Sequence, residues 1–216
     1  MPDVEEIIRR LAACTEENRA QFQGGLADFA RLHDLADWEG WFSPYGEETY
    51  STVLGHIAPD DVVLEIGAGD LRLALRLAER ARKVYAVEVN PLVVGPALEI
   101  IGLHLPRNLY VVCANALDFP ISPDITTAVL LMRHCQHFER YFNQLQAAGC
   151  RQLLTNARWK SGVEMIDLVA PRIPFQQVHE GWYACRCGAV GYVGRGERPA
   201  APAVEVNDCP ACQNGK

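Results

Sequence analysis

The sequence predicts an α/β protein built on a doubly wound, mostly parallel sheet with helices on both faces. Between positions 61 and 168, short apolar runs rich in valine and leucine alternate with stretches of helical periodicity. A glycine-containing turn follows the first of these runs directly, at residues 67–69. Four of the eight cysteines lie within the last 32 residues, which predicts a small metal-binding element after the sheet.

The composition indicates a globular protein, since 49% of the residues are hydrophobic and 22% are charged. No apolar run approaches the roughly 18 to 20 residues of a membrane span, so no membrane partner is expected. The first residues are acidic and lack the basic-then-apolar order of a signal peptide. A cytoplasmic location is therefore expected.

The net charge of −7 is concentrated near the amino terminus, where residues 1–60 hold four arginines and twelve carboxylates. Such a surface repels a polyanion, because affinity for nucleic acid depends largely on neutralisation of phosphates by lysine and arginine. A solvated acidic face is the simpler interpretation of this charge. The pattern nevertheless disfavours a nucleic-acid acceptor held by this region.

Residues 1–58 are predicted to form a helical extension ahead of the sheet. Two helices are expected within residues 3–36, and a short helix over 47–57. Between them lies a connector at 38–46 that is dense in aromatic residues. These aromatic side chains either form a wall of the ligand site or fasten the extension to the sheet, and the sequence leaves both interpretations open.

Residues 59–180 are predicted to form the core, in which strands and helices alternate. Asn90 and Pro91 supply an N-cap and a first-turn proline for one of these helices. In such a sheet the ligand lies at the carboxyl ends of the strands, beside the topological switch point. Strands are expected at 61–66, 83–88, 109–113, 127–132 and 152–155, and helices at 70–82, after Asn90, at 138–148 and at 162–168.

Polar residues at the ends of neighbouring strands predict an adenosine-containing ligand. Glu88 ends the second strand, nineteen residues after Gly69, where a carboxylate accepts hydrogen bonds from ribose hydroxyls. Asn115 follows the third strand, where its side-chain oxygen could accept from an adenine amino group. The third glycine of a dinucleotide fingerprint would fall at position 72, which is an arginine. This substitution disfavours a nicotinamide cofactor.

Three segments resemble the class I S-adenosylmethionine-dependent methyltransferases: VLEIGAG at 63–69, VYAVE at 84–88 and ANALD at 114–118. Within that family the match is most similar to the cofactor half of ribosomal RNA adenine dimethyltransferases. The resemblance implies a Rossmann-like, seven-stranded sheet whose last strand is antiparallel. It also implies that a hairpin within 175–193 closes the sheet.

The same resemblance implies S-adenosylmethionine as the cofactor and assigns roles to individual residues. Gly67 and Gly69 would lie beside the methionine moiety, Glu88 at the ribose, and Asn115 at the adenine, where the family usually has aspartate. Asp70 would either cap the following helix or meet the cofactor's ammonium group. The full set of expected cofactor-binding residues is Glu65, Gly67, Ala68, Gly69, Asp70, Glu88, Val89, Asn115, Ala116 and Met132.

The chain departs from the adenine dimethyltransferases after the fourth strand. Enzymes that methylate an adenine amino group carry an Asn/Asp-Pro-Pro-Tyr type of motif there, whereas this chain has MRHC at 132–135. Methylation of an adenine amino group is therefore not supported by this segment. His134 and His137 are the candidate general bases, although either could simply cap or pack. Arg133 could bind an anionic acceptor or cover the cofactor.

The carboxy-terminal cysteines are spaced as two close pairs separated by a 21-residue loop. This arrangement predicts a tetrahedral zinc site, and four thiolate ligands leave no open position, so the metal is expected to be structural. Residues 181–216 are accordingly predicted to form a zinc-ribbon-like element, either separate or continuous with the hairpin of the sheet. The expected ligands are Cys185, Cys187, Cys209 and Cys212.

The sequence-based hypothesis is a methyltransferase that acts on a small molecule or a protein side chain. A second hypothesis makes RNA the acceptor, docked by the ribbon through Arg186, Arg195 and Arg198. A third is a non-catalytic module that binds the cofactor and uses the ribbon for protein contacts. The methyl acceptor and the oligomeric state are not assigned by the sequence.

Overall fold

The computed structural model describes residues 3–24, 42–195, 198 and 200–214. Its main sheet has six strands in the order β3-β2-β1-β4-β5-β6. All neighbouring pairs are parallel except β5 and β6, which are antiparallel. The predicted doubly wound, mostly parallel sheet is thus confirmed. The strands are β1 Val62–Ile66, β2 Lys83–Glu88, β3 Leu109–Cys113, β4 Thr127–Leu130, β5 Gln152–Thr155 and β6 Glu164–Asp167.

The strand order reverses at β1, which lies between β2 and β4 at the centre of the sheet. All five residues of β1 are buried, as expected of a parallel strand covered on both faces. Chain connections leave β1 toward β2 on one side, and the later strands continue from β4 on the other. The carboxyl ends of β1 and β4 therefore flank a crevice at the topological switch point.

Helices cover both faces of this sheet. Leucine and valine side chains from α1, α3, α4 and α5 pack on one face, and Phe138, Phe142 and Leu145 of α6 pack on the other. The Asn90 side chain accepts a hydrogen bond from the backbone N–H of Leu92, which confirms the predicted N-cap. The helices are α1 Val4–Glu17, α2 Arg19–Gly24, α3 Glu47–Gly55, α4 Arg72–Ala78, α5 Pro91–Ile101, α6 Phe138–Ala147 and α7 Pro210–Asn214.

Part of the predicted amino-terminal extension lies outside the described residues. This applies to the second helix, expected around Leu26 to Leu32, and to residues 38–41 of the aromatic connector. Within the described part of the chain, no helix is long and apolar enough to span a bilayer. The expected cytoplasmic location stays a prediction.

The segment predicted as a helix at 162–168 instead contains β6. Its burial alternates, with Ile166 buried opposite Leu153 of β5 while Met165 and Asp167 are exposed. This alternation is typical of an edge strand, and four residues are too few to separate a strand from a helix by periodicity. The prediction was therefore wrong for this segment.

The expected hairpin within 175–193 does not close the main sheet. Its two strands, β7 and β8, pair with β9 in a separate three-stranded sheet of order β8-β7-β9. Among the described residues the main sheet therefore has six strands, where seven were expected. The second sheet has its own small apolar core, which includes Val178, Val206 and the four cysteines. Its strands are β7 Gly181–Cys185, β8 Val190–Val193 and β9 Val204–Val206.

A buried arginine joins the two sheets. Nη2 of Arg158 donates to Oε2 of Glu164 at 2.6 Å and to Oε1 of Glu205 at 2.7 Å. Glu164 belongs to β6 and Glu205 to β9, and the Arg158 side chain is only 1% exposed. One guanidinium group therefore ties the edge of the main sheet to the second sheet.

Candidate active site and metal centre

The crevice at the switch point has a volume of about 370 Å³. It lies where β1 and β2 end and where the loops after β3 and β4 begin. Eight of the ten residues expected to bind the cofactor line it; Gly69 and Asp70 do not. The eight are Glu65, Gly67, Ala68, Glu88, Val89, Asn115, Ala116 and Met132.

The turn after β1 has a backbone that favours glycine at two positions. Gly67 and Gly69 have φ values of +74° and +56°, in the left-handed region. A Cβ atom at Gly69 would lie 2.0 Å from Cε2 of Phe42, so no side chain fits there. Phe42 itself lines the crevice, and its ring closes the turn from one side.

Asp70 does not line the crevice, and of the two functions that the sequence left open for it the structure shows the contact with the following helix: its Oδ1 atom accepts a hydrogen bond from the backbone N–H of Arg72, the first residue of α4, at 3.3 Å. The Asp70 carboxylate also accepts a hydrogen bond from Oγ1 of Thr15 at 2.6 Å and from Nε of Arg72 at 2.9 Å. Thr15 belongs to α1, so these buried bonds fasten the amino-terminal helix to the glycine turn. The structure therefore gives Asp70 a positioning function between α1 and the turn.

Glu88 is held in a fixed orientation by two backbone amides. The N–H of Gly69 donates to Oε2 at 2.7 Å, and the N–H of Asn90 donates to Oε1 at 2.8 Å. Burial raises the pKa of Glu88, while these amide donors favour its charged form. Each carboxylate oxygen has further lone pairs, so the group can still accept hydrogen bonds from a ligand hydroxyl.

Glu65 has an unsatisfied atom at the crevice. Its Oε2 atom is buried and has no hydrogen-bond partner among the described residues. Burial first, and then the charges of Asp70 and Glu88, raise its pKa well above the usual range. A buried carboxylate without a partner is costly, so this atom suits a cationic group supplied by a ligand.

Asn115 forms a local turn after β3. Its Oδ1 atom accepts a hydrogen bond from the backbone N–H of Leu117 at 3.0 Å, which fixes the side chain beside the crevice. A carbonyl oxygen has two lone pairs, and the bond to Leu117 uses one of them. The predicted adenine contact of Asn115 stays a prediction.

The segment after β4 forms the mouth of the crevice. His134 and His137, the candidate bases, both line it, and His134 is exposed while His137 is half-buried. The guanidinium of Arg133 lies 5.2 Å from the ring centroid of Tyr45. The structure thus places both histidines at the mouth of the crevice, and their catalytic function stays a prediction.

The sequence left the function of the aromatic connector open, and its described part lines the crevice. Phe42, Ser43, Pro44 and Tyr45 all contribute to the wall. The hydroxyl of buried Tyr50 accepts from the backbone N–H of Tyr45 at 3.1 Å, which anchors this wall to α3. The high density of aromatic residues at 38–46 was the sequence feature that indicated this wall. No feature of the sequence indicated that Tyr50 would support it.

The four predicted cysteine ligands come together in the second sheet. Their sulfur atoms all lie within 4.8 Å of one another, with Sγ–Sγ distances of 3.6 Å for Cys185–Cys212 and for Cys187–Cys209. All four are free thiols. Sulfur atoms placed tetrahedrally about 2.3 Å from a zinc ion are separated by about 3.8 Å. The cluster therefore has the size and ligand chemistry of a four-thiolate metal site.

About half of the chain is similar to curated proteins. It is 41% identical over 105 residues to a Methanosarcina acetivorans protein named "Probable ribosomal RNA small subunit methyltransferase A", covering 48% of this chain and 35% of that protein. It is 49% identical over 104 residues to ribosomal RNA small subunit methyltransferase A of Rhodopseudomonas palustris, covering 45% and 36%. The resemblance to class I S-adenosylmethionine-dependent methyltransferases is confirmed. The chain spans about a third of the length of these relatives.

Solved structures also include proteins of similar architecture. One is an RNA methyltransferase from Salinibacter ruber in complex with S-adenosyl-L-homocysteine, with a TM-score of 0.45 and 16% identity. The alignment covers 54% of this chain and 82% of that one. No family model matches the chain.

Proposed function

We propose that the chain is an S-adenosylmethionine-dependent methyltransferase whose acceptor is RNA. The observation that carries the proposal is the identity of 41% and 49% to two proteins named as ribosomal RNA methyltransferases. The crevice supports it, because its position and its polar groups suit an adenosine-containing cofactor.

The sequence-based preference for a small-molecule or protein acceptor was wrong. Both relatives are named for ribosomal RNA, which favours an RNA acceptor. The preference rested on the departure from the adenine-amino motif at 132–135 and on the acidic amino-terminal segment, yet the described carboxylates of that segment do not line the crevice. Glu5 and Glu47, for example, pair with Arg76 of α4 instead. The charge of this segment was therefore a poor guide to the acceptor.

The residues of the crevice fit the cofactor. Glu88 would accept hydrogen bonds from the ribose hydroxyls, and the unsatisfied oxygen of Glu65 would meet the ammonium group. Asn115 and Ala116 would contact the adenine, and Gly67 would lie beside the methionine moiety. When bound, the cofactor supplies an activated methyl group on a sulfonium centre.

The chain's own contribution to methyl transfer is mainly positioning, because an in-line displacement depends on alignment of the reacting atoms. The wall at Phe42–Tyr45 would limit access of water to the crevice. His134 or His137 would accept a proton wherever the acceptor atom must lose one. Because MRHC replaces the adenine-amino motif at 132–135, the proposal names RNA as the acceptor and not an adenine amino group.

We propose that the four cysteines bind one zinc ion. Thiolates at all four positions complete a tetrahedral shell, so the ion would stabilise the second sheet and not take part in the chemistry. The division into an extension at 1–58, a core at 59–180 and a zinc element at 181–216 stays part of this proposal.

Two variants test the cofactor site, each measured by titration calorimetry with S-adenosylmethionine. Gly67→Val places a branched side chain at a left-handed φ of +74°, and Glu88→Ala removes the ribose acceptor. Both are expected to weaken binding at least about tenfold. For Glu88→Ala the reason is that a hydrogen bond to a charged group contributes about 1.5–3 kcal/mol. For Gly67→Val the reason is that a branched side chain does not suit the left-handed backbone of the turn. The control, Glu79→Ala, removes an exposed carboxylate at the end of α4 and is expected to bind normally.

Transfer of a labelled methyl group to total RNA, protein extract and metabolites then identifies the acceptor class. Label in RNA that disappears in Glu88→Ala is the expected result. Unchanged cofactor affinity in both variants would contradict the assignment of the crevice. Normal cofactor binding with label only in protein or metabolites would contradict the RNA acceptor.

A further inference from the structure

A second groove opens beside the crevice. It has a volume of about 1110 Å³ and shares three lining residues with the crevice: Ser43, Arg133 and His134. The two spaces are therefore adjacent at the segment after β4. A molecule in the groove would reach the mouth of the crevice.

The cysteine element forms one wall of this groove. Residues 187–190, the turn that carries Cys187, line it opposite the loop at 157–160. Gly188 in this turn has a φ of +95°, and a Cβ there would lie 3.1 Å from Cδ1 of Phe138. The turn is thus packed tightly against the first residue of α6. This contact holds the cysteine cluster close to the segment after β4.

The charged residues that line the groove are all cationic. They are Arg133, Arg158 and Lys160, and no carboxylate lines the groove among the described residues. Arg158 is buried and neutralised by Glu164 and Glu205. The exposed cations at the groove are therefore Arg133 and Lys160. In a chain of net charge −7, this local surface is complementary to a polyanion.

An aromatic side chain also lines the groove. Trp159 lines the groove and is half-buried. Its Nε1 atom donates to Oε2 of Glu164 at 3.1 Å, and its ring meets Trp182 edge-on with centroids 5.8 Å apart. These contacts hold the indole in one orientation. Grooves that combine cations with fixed aromatic rings bind single-stranded nucleic acid by phosphate contacts and base stacking.

We propose that this groove binds the single-stranded RNA that flanks the acceptor nucleotide. Arg133 and Lys160 would contact phosphates, and Trp159 would stack on a base. The inference rests on the proposed function and deepens it, since it says where the RNA lies. It differs from docking through Arg186, Arg195 and Arg198, none of which lines the groove.

The test uses the full-length, metal-loaded protein and a fluorescein-labelled single-stranded RNA of about 12 nucleotides. Fluorescence anisotropy gives the affinity as a function of salt for Arg133→Gln, Lys160→Gln and the double variant. Each single variant is expected to bind several-fold more weakly at about 50 mM salt and to lower the slope of log affinity against log salt by about 0.7. The matched control is Arg107→Gln, an exposed arginine just before β3, at the opposite edge of the sheet.

Cofactor binding separates this proposal from the proposed function. Lys160 does not line the crevice, so Lys160→Gln should bind S-adenosylmethionine as the unchanged protein does while losing RNA affinity. If Arg133→Gln and Lys160→Gln bind RNA as tightly as the control Arg107→Gln does, the groove is not the RNA-binding site, and the proposed function is unaffected. Competition by a polyglutamate peptide as strong as that by unlabelled RNA would also overturn the groove as an RNA site, in favour of an acidic polypeptide. Absence of both RNA binding and methyl transfer to RNA would overturn the proposed function as well.

Discussion

Burial of the Glu65 carboxyl group makes the stability of the ligand-free protein depend on pH. The pKa of Glu65 is raised, so the native protein holds this proton more tightly than the unfolded chain does. The resulting stabilisation is complete below the unfolded pKa of about 4.3 and is lost as the pH rises through the native pKa. At neutral pH and above, the buried carboxyl group therefore lowers the free energy of unfolding of the ligand-free protein.

Replacing this carboxyl group should separate its effect on stability from its effect on cofactor binding. Glu65→Gln is expected to raise the melting temperature of the ligand-free protein at about pH 8 and to flatten its decline with pH. The same variant is expected to bind S-adenosylmethionine more weakly, since an amide does not neutralise an ammonium group. Thermal melts across pH and calorimetry measure these two quantities. Exposed Glu79→Gln is the control, and a Glu65→Gln protein less stable than this control at high pH would contradict the argument.

Single residues of the crevice were predictable when a local pattern marked them. Gly67, Glu88 and Asn115 each follow a strand, and parallel strands bring their carboxyl ends to one edge. Asp70 has the same position in the pattern, yet it turns toward Thr15, a residue 55 positions earlier in the chain. Such a long-range partner leaves no trace in local periodicity, so the orientation of Asp70 could not be read from the sequence.

We expect the cysteine element to be stabilised by the proposed zinc ion. Cys185 is buried and Cys187 is half-buried, and burial raises the pKa of both thiols, so thiolates there are favoured by a nearby cation. Elemental analysis of the purified protein is expected to find about one zinc per chain. Cys209→Ser should lose the metal, because the remaining three thiolates leave the tetrahedron incomplete.

Cys113→Ser is the matched control, since Cys113 is an exposed residue of β3 and lies outside the cluster. Zinc content that falls equally in both variants, or in neither, would show that the four cysteines are not the ligand set.

Among the secondary-structure elements, strands that consist of a continuous apolar run were predicted well, including the four-residue β5, whereas the alternating β6 was not. The buried strand β1 and the helix α6 each have enough apolar residues to fix their type. The four residues of β6 do not, and their strand state comes from pairing with β5. The hairpin at β7 and β8 was recognised, but its placement in a separate sheet depends on contacts with β9 that are distant in sequence.

Arg158 determines how the two sheets are joined in the whole molecule. Although burial opposes ionisation, hydrogen bonds to Glu164 and Glu205 keep the pKa of Arg158 above its usual value. Arg158→Gln would leave Glu164 without its cation and Glu205 with only Arg172, 3.6 Å away, and breaking a buried pair in this way costs about 3 kcal/mol. Urea unfolding followed by far-UV circular dichroism should therefore show a lower midpoint.

Arg140→Gln is the control, because Arg140 and its partner Asp118 are exposed and such pairs contribute at most about 1 kcal/mol. Equal midpoints for the two variants would mean that Arg158 does not hold the sheets together.

The wall shared by the crevice and the groove has a kinetic consequence. Ser43, Arg133 and His134 border both spaces, so an RNA strand in the proposed groove would lie over this side of the crevice. The cofactor would then have to enter before the RNA, and the spent cofactor would leave only after the modified strand had gone. The position of these three residues between the two spaces would therefore impose an order on the binding and release of cofactor and RNA.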